Sequence, residues 1–161
     1  MPSITTDLRD LIYAKLLLKQ LATEFVINDF EIERTYLPYS ELSRARVDNP
    51  SGKVYLVTGV PGDIVNTSRK NRGIARDISI ILGYQICDVK VTDYGTLDDY
   101  VFLVEQLDEM CREEIDPSTV YSFSRLEYLK DENGVPYSFL GLRDNKTFES
   151  YFTATFNFTL Q

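Results

Sequence analysis

A chain of 161 residues with 43% apolar and 26% charged side chains has the makeup of one globular domain and not of a disordered segment. Its formal charge of −8 sets it against polyanions, so a general affinity for phosphate backbones is excluded. Histidine is absent, which removes Ser-His and Cys-His nucleophile pairs, the commonest general base and most zinc sites.

The first element is a helix from about Thr6 to Phe25. Leu8, Leu11, Ile12, Leu18, Leu21, Ala22 and Phe25 recur at helical spacing, with Arg9, Lys19 and Gln20 turned away. Leu16 and Leu17 widen that stripe and predict a helix covered on more than one side. A strand follows over Asp29–Leu37, where Phe30, Ile32 and Tyr36 alternate with Glu31, Glu33 and Thr35 until Pro38 stops it. The polar stretch from Tyr39 ends in the turn signal Asn49-Pro50-Ser51-Gly52. Lys53–Val60 reads as a second strand, broken by Pro61-Gly62. Gly62–Gly73 then reads as a long polar loop or hairpin arm. Ile74–Cys87 is a strong strand: Ile74, Ile78, Ile80, Leu82, Tyr84 and Ile86 share a face on which Arg76 is the only charge.

A second helix is predicted over about 97–114, with Thr96 and Asp99 forming a capping box and Leu97, Tyr100, Val101, Val104, Leu107 and Cys111 as its buried stripe. Asp98 and Asp99 suit its positive end, whereas Glu113 and Glu114 sit unfavourably at the negative end. Pro117 stops it. Tyr121–Leu129 reads as a strand, Asp131-Glu132-Asn133-Gly134 as a hairpin turn, and Val135–Leu142 as the short return arm. In the last stretch Phe148, Phe152, Ala154, Phe156, Phe158 and Leu160 alternate with Glu149, Tyr151, Thr153, Thr155, Asn157 and Thr159. That is a long strand with one apolar face, and it must be paired or it would offer an open edge. The whole chain, 1–161, is thus expected to be a single α+β domain. It combines one mostly antiparallel sheet of about five strands, two α-helices packed on one face, and long hairpin-like loops.

Charge is segregated along the chain. From Asp98 to Asp116 there are eight carboxylates and one base, Arg112; from Asn66 to Arg76 there are four bases and no acid. Copies of the molecule could pair through two such patches, although each patch alone also reads as a solvated surface. The candidate interface residues are Arg69, Lys70, Arg72 and Arg76 on one side and Asp108, Glu109 and Glu113 on the other. Tyr151, on the polar side of the last strand, joins them because tyrosine is enriched at interfaces.

Catalytic and cofactor signatures are missing. There is no phosphate loop and no dinucleotide fingerprint. Asp98 and Asp99, adjacent on a helix, point about 100° apart and do not converge on a metal ion. The basic cluster carries no interleaved aromatics on which bases could stack. Cys87 and Cys111 are isolated and read as reduced packing residues. Met1–Thr6 lacks the basic-then-apolar layout of a secretion signal, and no run reaches the length of a membrane-spanning helix; synthesis in a cytosol is expected. No catalytic residue, cofactor or metal is therefore expected, and an enzyme is the least supported class.

The sequence of elements resembles the tail terminator (tail completion, head–tail joining) proteins of long-tailed bacteriophages. The likeness lies in the segment Arg72–Ile86, the helix Leu97–Cys111, and the finish Phe-Glu-Ser-Tyr-Phe-Thr-Ala-Thr-Phe-Asn-Phe-Thr from Phe148. It is one of pattern across most of the chain. It implies a sheet with two helices on one side, assembled into a hexameric ring at the head-proximal end of the tail tube. Such a ring ends tube polymerisation, meets neck proteins, and lets genome DNA pass through its lumen without reading it. The implied partners are further copies of the chain, the tail tube protein and the neck or head-completion protein, with the sheath protein a further candidate. The implied location is the virion tail or neck, assembled in the bacterial cytoplasm. The Tyr39–Gly73 excursion and the Asn133 hairpin exceed the family pattern. Two alternatives stay open: another neck or baseplate adaptor, and a small-molecule-binding α+β domain.

Overall fold

The computed structural model describes residues 4–28, 30–35, 52–66, 74–86, 94–116, 120–130, 132–142 and 145–160. Its first helix, α1 (Ile4–Leu21), buries Thr5, Leu8, Ile12 and Leu16. The stripe is narrower than the run of leucines suggests: Leu18 and Leu21 are 62% and 81% exposed, so the described residues do not cover the helix on a second side. The helix also ends short of Phe25. Thr23 takes a φ of 55°, a left-handed conformation that turns the chain. Phe25 then re-enters the core on its own.

The strands that follow are β1 (Phe30–Thr35), β2 (Gly52–Asn66) and β3 (Ile74–Ile86). β1 runs parallel to β2, from Phe30 opposite Gly52 to Thr35 opposite Val57. Pro61-Gly62 was expected to break the second strand and does not. β2 continues to Asn66, with register shifts between Thr58 and Pro61 and between Pro61 and Ile64. Proline brings no N–H to a ladder, and a bulge is the arrangement that accommodates it. Gly62–Asn66 therefore forms a hairpin arm, the second of the two expected readings, and not a loop; residues 67–73 lie outside the described residues.

The second helix, α2 (Tyr94–Met110), starts before Leu97, so Thr96 lies inside its first turn and does not cap it. No acidic residue falls in that turn, and Asp98 and Asp99 lie just behind it. The buried ridge is Tyr100, Leu103, Val104, Leu107 and Met110. Val101, expected inside, is 46% exposed, and Phe102 is 52% exposed. Spacings of three and four from Tyr100 reach Leu103, Val104 and Leu107, and that ridge leaves Val101 on the flank. A π-helical turn, Cys111–Ile115, extends the helix and buries both of its end residues. Burial pushes the Cys111 thiol up to about 12, which fits a packing residue.

After α2 come β4 (Tyr121–Tyr128), β5 (Tyr137–Leu142) and β6 (Asn145–Leu160). Among the described residues the sheet has six strands, ordered β1-β2-β3-β6-β4 with β5 also on β6, against about five expected. Among the described strands only the β1–β2 pair is parallel. β6 is its spine, pairing with β3 without interruption from Phe148 opposite Ile86 to Leu160 opposite Ile74. Phe148, Phe152, Ala154 and Phe156 of β6 share one buried core with Ile78, Ile80, Leu82 and Tyr84 of β3 and with the ridges of both helices. Both helices thus pack on the even-numbered face of β3 and β6, and the fold class is α+β as expected.

Candidate functional site

The edge of β6 away from β3 is shared by two strands in succession. β4 pairs with it antiparallel from Tyr121 opposite Phe158 to Tyr128 opposite Phe152. β5 then pairs with it antiparallel from Tyr137 opposite Ser150 to Leu142 opposite Asn145. The two therefore run in the same direction, and the expected hairpin about Asn133 is not one: β5 does not return along β4. The chain leaves the sheet after Tyr128, turns through Gly134 at φ 79°, and rejoins the same edge at Tyr137. Gly134 tolerates that φ because it has no Cβ. The tight pairing falls instead between β5 and β6, where Leu142 faces Asn145.

Where one strand hands over to the next, Leu129 N–H donates to the Tyr151 carbonyl at 2.9 Å and the Ser150 hydroxyl donates to the Pro136 carbonyl at 2.6 Å. Between these two bonds lies a cavity of about 210 Å³, lined by the excursion residues Leu129, Val135, Pro136 and Tyr137 and by Glu149 and Tyr151 of β6. Glu149 is only 3% exposed, and its carboxylate accepts a hydrogen bond from the Tyr151 hydroxyl. Burial raises the Glu149 pKa, with the tyrosine bond acting the other way. Lys130 lines the same cavity, but it makes no ion pair with Glu149.

Of the residues expected to act, Tyr151 is at this site, half-buried and bonded to Glu149. Arg69, Lys70 and Arg72 lie outside the described residues. Arg76 is placed by its backbone, opposite Ile64 of β2 and Phe158 of β6, but its side chain is not described. Asp108 is already engaged, accepting from Arg112 at 3.0 Å one helical turn on. Glu109 and Glu113 are exposed. Glu114, whose position at a helix C-terminus is unfavourable, is met within the same chain by Lys19 at 2.6 Å. The acids of α2 therefore do not gather into one site with Tyr151.

Glu149 itself was not singled out from sequence. Its odd position on the last strand placed it on the polar face, which reads as solvated. The excursion that lines the cavity with it is a tertiary feature with no local signal.

A second surface lies on the helices. Gln106 of α2 fastens the turn after α1: its amide oxygen accepts from Val26 N–H at 2.9 Å and its NH2 donates to the Glu24 carbonyl at 3.0 Å. Phe102 is one helical turn before Gln106, so Val26 and Phe102 share a side of the molecule, and both are exposed. Among the described residues no group of three or more acidic or cysteine side chains could hold a metal ion, and no helix is long and apolar enough to cross a membrane. No protein-family model matches the chain, and the search of curated proteins gives no match.

Proposed function

We propose that this chain is a structural subunit that assembles with its own copies into a ring, at the head-proximal end of a phage tail tube. There it ends tube growth and joins tail to neck. The observation that carries the reading is the apolar exposure on the helical layer. Leu18, Leu21, Val26, Val101 and Phe102 are each at least 40% exposed on α1, α2 and the turn that Gln106 holds against α2. Large apolar side chains grouped on one layer and rimmed by acids mark a contact surface. The acidic rim, Asp98, Asp99, Glu105 and Glu109, is exposed. The resemblance in pattern to tail terminators supplies the ring and its place in the particle. The partners follow from it: other copies, tube protein, neck protein and, in a sheathed tail, sheath protein, with DNA passing unread through the lumen.

A metabolite-binding domain is the weaker reading: among the described residues the cavity at the hand-over holds about 210 Å³, below the ~300–1,000 Å³ usual for ligand pockets. Size-exclusion chromatography with light scattering, on the chain alone and mixed with tube protein, tests the proposal. A defined oligomer is expected. A monomer at every concentration in both settings overturns it.

A further inference from the structure

We propose that the cavity at the β4–β5 hand-over receives a basic side chain from the Arg69-Lys70-Asn71-Arg72 stretch of a second copy, with Glu149 as its counter-charge. The inference rests on the ring reading above and names the two surfaces that would meet.

The cavity has the chemistry for a cation on a slender stem. Its single described carboxylate is buried, and among the described residues no base pairs with it, although Lys130 lines the same space. Tyr137 and Tyr151 supply aromatic side chains and Val135 and Pro136 supply apolar wall, a lining suited to the methylenes and planar head of an arginine. A guanidinium brought against Glu149 would hydrogen-bond to a carboxylate that Tyr151 already holds in place.

The chain's own basic stretch cannot be the occupant. β2 and β3 remain paired as far as Asn66 opposite Ile74, and the stretch lies between those two residues. The cavity is at the other end of β3, where Tyr84 faces Ser150. The ten residue-to-residue steps of strand from Ile74 to Tyr84 span about 33 Å. Lys70 is four residues from either Asn66 or Ile74, a reach of about 14 Å at full extension. Even with a long side chain added, the stretch falls short of its own cavity. A neighbour must supply it. That contact joins two different patches of identical subunits, which is the head-to-tail geometry that closes into rings.

A peptide with the sequence Asn66–Arg76, titrated into the full chain by calorimetry or by NMR, tests this directly. Saturable binding is expected, weakened at least tenfold by Glu149→Gln in the protein or by Arg69→Gln, Lys70→Gln and Arg72→Gln in the peptide. The Glu149→Gln protein is first checked by its melting curve to be folded. Equal binding to wild type and Glu149→Gln, or no binding to either, overturns the proposal. Lys53→Gln guards against an occupant from within, since Lys53 faces Gln85 and Gln85 faces Glu149 across the sheet. A tenfold gain in peptide affinity in that variant would mean that Lys53 fills the cavity, and would also overturn it. Light scattering on the same proteins separates the two ideas. If wild type and Glu149→Gln form the same oligomer, this contact fails while the ring stands; if wild type is monomeric throughout, the ring fails and the peptide result still decides the cavity.

Discussion

Tyr84 of β3 and Tyr100 of α2 stack at 5.1 Å with their rings 27° apart, and among the described residues the buried Tyr84 hydroxyl has no hydrogen-bond partner. Burial pushes the Tyr84 hydroxyl up to about 12, so it stays protonated and brings a stranded dipole into the core. The rings hold α2 against the sheet, with Phe148 meeting Tyr100 edge-on at 4.9 Å. An unpaired buried polar group costs about 1–3 kcal/mol, so Tyr84→Phe, which keeps the ring and deletes the oxygen, is expected to be neutral or to stabilise by about 1 kcal/mol. Urea unfolding measures it. A loss of more than about 1 kcal/mol would show that the hydroxyl has a partner, such as a buried water.

Glu149 carries a pH signature. Its pKa is raised in the folded state by burial, against an ordinary value of 4.5, so the folded chain holds the proton more tightly than the unfolded chain does. That contribution to stability is fully present below about 4.5 and is lost as pH rises through the folded value. Glu149→Gln keeps the shape and cannot ionise. The variant should therefore melt above wild type at pH 7, with the gap closing as the pH falls towards 4. A variant that melts lower at neutral pH, alone in solution, would mean that a base already neutralises the carboxylate.

The architecture was legible where period and length agree. Residues 74–86 and 148–160 alternate over long runs, and they form the paired spine of the sheet. The errors arise where tertiary contacts choose among local options. Leu18 and Leu21 belong to the right helix but to its outer face, because only the Leu8, Ile12 and Leu16 ridge meets the core. Val101 lost its place to Leu103 for the same reason. A turn signal at Asn133-Gly134 was read as a hairpin, yet a local turn does not specify which strand the chain rejoins, and it rejoins β6. Residue type and strand face single out Tyr151 in the sequence. Glu149, its neighbour at the cavity, is not legible in this way, since the segment Leu129–Tyr137 that lines the cavity with it ends twelve residues earlier in sequence.

Phe156 is the residue on which the spine depends. It is fully buried, faces Ile78 of β3 and Phe123 of β4, and meets the Phe123 ring edge-on at 5.4 Å. Replacing a buried phenylalanine by alanine costs about 3–5 kcal/mol. That is a large share of the roughly 5–15 kcal/mol by which domains are stable, so Phe156→Ala should unfold the chain at or near 37 °C. Circular dichroism and a thermal scan give the answer. A cost below about 1 kcal/mol would mean that the strand pairing survives without this contact.

The outer helical face separates assembly from folding. Leu21 is 81% exposed and Phe102 is 52% exposed, so Leu21→Gln with Phe102→Gln removes apolar surface that the single chain hardly uses. Exposed substitutions away from caps and networks change stability by about 0.5 kcal/mol or less, and the double variant should melt within a few degrees of wild type. If that face is buried between copies, each glutamine would place a polar group in a dry contact, and the oligomer seen by light scattering should dissociate at least tenfold more readily. Charge reversal of Arg69, Lys70 and Arg72 to Glu is the companion experiment, expected to impair assembly while leaving the melting temperature in place. The two variants probe different parts of the subunit. Loss of assembly in both, with folding intact in both, is expected; normal assembly in the glutamine pair would remove the helical face from the contact, and normal assembly in the charge-reversed variant would remove the basic stretch.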